Sequence, residues 1–243
     1  MMINWRTKAS ALDALVSLSA QEHSDLTIKG AADYKYWNIK TAPDAEVVGR
    51  FRAEAKTYYY RKQIRRCCYC SIELDGNQRS YDAEHILDKR TYPHFMFELN
   101  NIAVSCKTCN GKKSKKAVLV KGASTATVPT DTNCYLLVHP HLDEWDTYLD
   151  YDRIGRIIAK QGNEKGTATI SICGINVRNA ARLSDHFHAG NNGEAEDALQ
   201  SFFKVKSLRY KKKLLSILDA MAVKFNMDQA KVIVEELRAE LPP

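Results

Sequence analysis

Residues 67–110 read CCYCSIELDGNQRSYDAEHILDKRTYPHFMFELNNIAVSCKTCN, and this stretch decides the fold. It opens on one CxxC pair, Cys67 and Cys70, and closes on another, Cys106 and Cys109, with Asn110 directly after. Two such knuckles separated by a loop supply four thiolates at the spacing of a tetrahedral structural zinc site. Neither pair sits in the βαβ pattern of a redox motif, so zinc is the expected occupant, as a staple whose four positions are all filled. Cys68 lacks the two-residue gap to Cys70 and falls outside the set.

Everything between the knuckles is then held in one small place. Tyr81-Asp82-Ala83-Glu84-His85-Ile86-Leu87 reads as the end of a strand, where a carboxylate can bind a hard divalent ion while the imidazole beside it faces a water. A base poised near neutral pH next to a phosphate-holding metal is what phosphodiester hydrolysis requires. Taken singly, His85 would be a hydrogen-bonded histidine, Asn101 a turn residue and Asn110 a helix N-cap. Their joint spacing argues for a site.

Charge points the same way. Residues 61–121 hold 13 Lys and Arg against 6 Asp and Glu, which accounts for the whole net charge of +7. Lysines and arginines that displace counterions from phosphates supply most non-specific nucleic-acid affinity. Lys112, Lys113, Lys115 and Lys116, just past Asn110, are the expected phosphate contacts. A hydrophobic fraction of 44% and a charged fraction of 27% are those of a globular chain. No apolar run approaches the roughly 20 residues a membrane span needs. The start, MMINWRTKASALDAL, lacks the apolar core of a signal peptide. A cytoplasmic location is expected, and Cys68, Cys134 and Cys173 make an odd remainder ill suited to a disulfide framework.

Four stretches follow from patterning. Residues 1–60 read as a helical lobe: Leu12, Leu15 and Leu18 recur near helical spacing, and Pro43 opens a longer helix with Val47, Phe51 and Ala55 on one face. Its Trp5 and Trp37 are of a type that favours partner docking. Residues 61–121 form the core, with Asp75-Gly76-Asn77 as a hairpin turn. Residues 122–175 look like a small antiparallel β extension, with strands at 135–138, 146–151, 156–160 and 167–173. Residues 176–243 are helical, with Leu214, Leu215, Ile217 and Leu218 on one helix and a last helix stopping at Leu241-Pro242-Pro243.

The core segment resembles an HNH endonuclease, the zinc-stapled kind of ββα-metal fold, over about 50 residues. The resemblance implies an α+β chain in which Glu84 and Asn110 hold a catalytic Mg²⁺ or Mn²⁺. It makes His85 the general base and Asn101 the tether of the loop that orients it. Two departures stand out: the proline that often follows the histidine by two positions is absent, Leu87 standing there with Asp88 after it, and Asp82 lies near enough to compete with Glu84 for the ion. The stretches HPHLDEW (139–145) and GTATISICGINVRNAAR (166–182) are similar to nuclease subunits of Septu-type and retron-associated anti-phage systems. That similarity implies a nucleic-acid target, DNA in preference to RNA, and an ABC-type ATPase partner. In retron systems a reverse transcriptase with its RNA–DNA product would join them. The chain has no Walker A motif, so ATP dependence would belong to another subunit. The competing class is a zinc-stapled nucleic-acid-binding module without catalysis.

Overall fold

The computed structural model of the chain describes residues 5–187 and 192–242. It is a mostly helical α+β structure with two small antiparallel sheets and a buried four-cysteine cluster. Two compact units divide it: one runs to Tyr148 and takes in Ala159–Cys173, the other comprises Leu149–Ile158 and the chain from Gly174.

In the first unit, α1 (Ala20–Ala32) starts at a capping box in which Ser19 and Glu22 satisfy each other's backbone N–H. The next helix, α2 (Asp44–Lys62), begins directly after Pro43 and buries Val48, Phe51, Ala55 and Tyr59. Strands β1 (Tyr81–His85) and β2 (Ile102–Cys106) pair antiparallel in the register His85↔Ile102 to Tyr81↔Cys106, and α3 (Lys107–Lys113) follows without a break. This ββα unit lies against α2. The outer side of β2 has no third strand, and the buried amide of Gln63 takes that place. Its Nε2 donates to Val104 O (2.8 Å) and its Oε1 accepts from Val104 N (3.0 Å). A side chain thus imitates a peptide, so the edge needs no further strand.

Gly30 marks a close approach between α1 and the residues ahead of β2. A Cβ there would come within 2.7 Å of Met96 Cε and of the Phe97 ring. Trp37, Phe51 and Phe97 form an aromatic cluster beneath, with ring centroids 5.0–6.0 Å apart. Trp37 is therefore spent on the unit's own core, while Trp5, half-buried, stacks on Trp145 at 6.4 Å.

Four expectations are corrected. Residues around Leu12, Leu15 and Leu18 are not helical, because α2 side chains take up their backbone: Tyr59 Oη bonds Leu12 N, and the Glu54 carboxylate bonds Val16 N and Ser17 N. Asp75-Gly76-Asn77 sits in a loop closed by an Asx turn, Asn77 N to Asp75 Oδ1 at 2.8 Å, and does not join two ladder strands. Residues 135–138 contribute a single bridge, Leu119↔Tyr135. Residues 167–172 fall in a helix that Cys173 caps; Asn163 caps its first turn and β-branched propensity loses to tertiary packing.

The remaining elements run in order: α4 (Trp145–Tyr148), β3 (Leu149–Tyr151), β4 (Ile157–Ala159), α5 (Glu164–Ile172), α6 (Ile175–Ser184), α7 (Asn192–Lys204), α8 (Leu208–Lys224) and α9 (Asp228–Ala239). The turn between β3 and β4 uses Gly155 at φ +80°, where a side chain would be strained. Helices α6–α9 close around Leu183, Leu199, Phe202, Leu218, Ile233 and Val234. The last helix ends at Ala239, and Pro243 of the expected stop signal lies outside the described residues.

Replacing Gln63 by leucine leaves the Val104 N–H buried without an acceptor. Chemical denaturation should register a loss of about 2 kcal/mol, within the range for an unsatisfied buried polar group. A loss within error would mean that β2 does not depend on this amide.

Candidate functional site

The sulfurs of Cys67, Cys70, Cys106 and Cys109 all lie within 4.8 Å of one another, and all four residues are buried. Cys70 Sγ and Cys106 Sγ are 3.8 Å apart, which matches the edge of about 3.8 Å that four Zn–S bonds of about 2.3 Å impose on a tetrahedron. Backbone amides support the sulfurs: Cys106 N donates to Cys67 Sγ (3.3 Å) and Cys109 N to Cys106 Sγ (3.4 Å). The donor set therefore fits a zinc ion. Cys68 is not one of the four clustered sulfurs: burial, and then the Cys67 thiol beside it, push its thiol well up, and its backbone N bonds Val104 O at 3.0 Å. The Arg6 guanidinium, wholly buried, donates to Cys68 O at 2.7 Å and to Asp143 O at 3.1 Å, tying this knuckle to residues 139–143.

Because strand side chains alternate, β1 presents two faces. Asp82 and Glu84 meet α3, whose Asn110 and Lys113 are one helical turn apart. Asn110 Nδ2 donates to Asp82 Oδ2 at 2.8 Å. Lys113 Nζ lies 2.7 Å from Glu84 Oε1, and Tyr69 Oη donates to the same oxygen at 3.1 Å. Both members of the Glu84–Lys113 pair are about 2–3% exposed. Burial raises the Glu84 carboxyl and the lysine opposes that rise, so the pair is stable only while both are present. The two carboxylates thus differ: Glu84 lines a hollow together with Asp82 but is almost wholly buried and paired with Lys113, while Asp82 is half-buried and bonded only to the Asn110 amide.

On the other face, the His85 ring packs edge-on to Trp37 at 4.4 Å, and its Nε2 is 3.1 Å from Met96 O. A carbonyl only accepts, so Nε2 carries the hydrogen and Nδ1 keeps a free lone pair. Burial first, and then the Lys89 ammonium, push its pKa down to about 3, which keeps the imidazole neutral. Asn101 does not reach the groove. Its Oδ1 accepts from Leu87 N (2.7 Å) and its Nδ2 donates to Leu87 O and Phe95 O (both 3.0 Å), clasping the long loop from which Met96 O reaches His85.

Two adjoining hollows of about 470 and 460 Å³ share Asp82, Ala83, Lys89 and Asn110. Trp37, Arg52, Lys56 and Gln78 wall the first; His85, Asp88, Arg90, Lys107 and Lys115 wall the second. Of the four lysines singled out in the sequence, Lys115 lines this groove and Lys112 is exposed beside it. Lys113 lines the same hollow but differs from its neighbours in being buried, with its ammonium on Glu84. Lys116 donates to Ile172 O at 2.8 Å, at the C-terminal end of α5. Sequence reasoning missed Arg52, Lys56 and Lys107 as groove residues. A signal existed for the first two, since like charges four apart on a helix repel and are seldom kept without a reason.

No protein-family model matches the chain. A stretch of 72 residues is 39% identical to the Septu protein PtuB of Bacillus thuringiensis, covering 28% of this chain and 26% of that protein. The similarity therefore relates the two chains over about a quarter of their lengths. Among the described residues, no helix is long and apolar enough to cross a membrane.

Elemental analysis should find one zinc per chain. Cys67→Ser or Cys109→Ser should lose the zinc and lower the melting temperature, as should a strong chelator, because binding energy at such a site is also folding energy. Cys68→Ser should keep its zinc. Equal loss from the Cys68 variant would overturn the assignment of the four ligands.

Proposed function

We propose that this chain is a metal-dependent endonuclease of the HNH kind that hydrolyses phosphodiester bonds in nucleic acid, DNA before RNA. The observation that carries the proposal is the convergence of Asp82, His85 and Asn110 on one basic groove, along a hairpin that a four-cysteine site holds shut. The partial match to a Septu protein supports a place in an anti-phage defence complex with an ABC-type ATPase subunit; a reverse transcriptase partner, as in retron systems, rests on the resemblance of residues 139–145 and 166–182 alone.

Oxygen donors at the groove suit Mg²⁺ or Mn²⁺. Between the two carboxylates of β1, the groove-facing Asp82, already bonded to Asn110, is the better donor, since Glu84 would first have to leave Lys113 and Tyr69. A divalent ion held by Asp82 and the Asn110 amide oxygen would polarise the phosphate and stabilise the departing oxygen. His85 then takes a proton from the attacking water on Nδ1, while Met96 O fixes its tautomer and Asn101 fixes the loop. An arriving phosphate's negative charge raises the proton affinity of an imidazole that burial has depressed. Lys113, donating also to His85 O at 2.9 Å, holds the end of β1 in place.

The closed Glu84 is the observation that favours the second reading, a zinc-stapled nucleic-acid-binding module without catalysis. Nicking of supercoiled plasmid with Mg²⁺, by the chain alone and by the complex purified with its co-expressed ATPase, separates the two. His85→Gln keeps the buried volume better than alanine and should lower the cleavage rate by about 100-fold or more, with melting temperature and zinc content near wild type. Asp82→Asn should do the same and Glu84→Gln should chiefly destabilise. Wild-type cleavage by the His85 variant would sink the role given to His85. Absence of cleavage from both wild-type preparations would leave the binding module.

A further inference from the structure

The groove has a second bank, built from a helix far away in the sequence. Arg52 and Lys56 of α2 wall the hollow that contains Asp82 and Asn110, and Lys89 lies between them and the second hollow, where Lys107 stands. Among the described residues, none of these four cations forms an ion pair. Two are held by aromatic faces instead of by carboxylates. The Arg52 guanidinium lies over Trp37 at 5.4 Å, and the Lys56 ammonium lies over Tyr81 at 4.5 Å and bonds Gln78 O. Such contacts fix a cation's position without neutralising it. Burial lowers the Lys56 and Lys89 ammonium groups; at Lys89 the Glu84 and Asp88 carboxylates oppose the fall, and Arg52 adds a smaller part to it in both cases. Asp82 opposes the fall at Lys56, which places it within reach of the same cluster. Cations gathered along one groove without an ion pair are the arrangement that a polyanion relieves.

We propose that Arg52 and Lys56 of α2, facing Lys89 and Lys107, grip the phosphates that flank the one presented to Asp82 and Asn110. On this proposal, which rests on the endonuclease reading, α2 is a substrate-contact element. The ligand is the phosphodiester backbone, and these contacts set register without reading bases. Trp37, packed against both Arg52 and His85, links the clamp to the proposed base.

The test is fluorescence anisotropy of the full chain with a short labelled DNA duplex and the matching single strand, in calcium buffer over a range of salt. Arg52→Gln/Lys56→Gln should weaken binding about tenfold and flatten the slope of log Kd against log salt by about 1.8 for duplex, about 0.9 for each phosphate no longer neutralised. Arg52→Lys/Lys56→Arg keeps both charges and should keep the slope. Lys160→Gln, exposed and outside the groove, should bind as wild type. Unchanged affinity and slope in the neutralised variant, with zinc content and melting temperature intact, would overturn the clamp. So would an equal loss in the charge-preserving variant, which would mark a packing role. The outcomes separate the two proposals. A wild-type chain that binds with the Arg52/Lys56-dependent slope but never cuts defeats the nuclease alone; a neutralised variant that binds normally while the wild type cuts defeats the clamp alone.

Discussion

The four-sulfur cluster is the constraint on which the rest depends. It joins residues 67–70, which precede the hairpin, to the end of β2 and the first turn of α3, so strand and helix meet at a fixed angle. Only with that angle fixed do Asp82 and Glu84, two apart on a strand, align with Asn110 and Lys113, three apart on a helix. The two-stranded sheet is too small to hold this alignment by itself. The four-cysteine cluster, the Gln63 amide and the buried Arg6 guanidinium supply what a larger core would otherwise provide.

The two faces of β1 then do different work. One carries a sealed ion pair and, beside it, an open carboxylate bonded to an amide. The pair's desolvation is tolerated because Tyr69 and the His85 carbonyl take up the remaining hydrogen-bonding capacity of Glu84 and Lys113. The other face carries a neutral imidazole, set by a carbonyl on a loop that Asn101 clasps at both ends. The pleat sends the carboxylates and the imidazole to opposite faces of the strand, yet Asp82, Glu84 and His85 all line one hollow at its end.

Much of this was legible in the chain. The knuckles, the Glu84-His85 step, Asn101 and Asn110 lie within 44 residues, and their spacing reports geometry because each is tied to a local element. What was not legible depended on distant partners. The leucines at 12, 15 and 18 have helical spacing, but Tyr59 and Glu54 claim that segment's backbone. The run 167–173 is rich in β-branched residues, but a cap at Asn163 and the seat of Gly166, whose Cβ would meet Tyr148 O at 2.4 Å, make it helical. Lys113 looked like its exposed neighbours because a charge run does not say which member turns inward to meet a buried carboxylate. The basic bank on α2 was hidden for a similar reason: proximity to Asp82 arises only when α2 packs on the hairpin.

Anomalous diffraction from crystals grown with manganese, recorded at the zinc and manganese edges, tests the central claim most directly. The account predicts one zinc peak inside the Cys67, Cys70, Cys106 and Cys109 cluster and one manganese peak in contact with Asp82 and Asn110. A cysteine cluster without zinc, or manganese bound nowhere along β1, would contradict it.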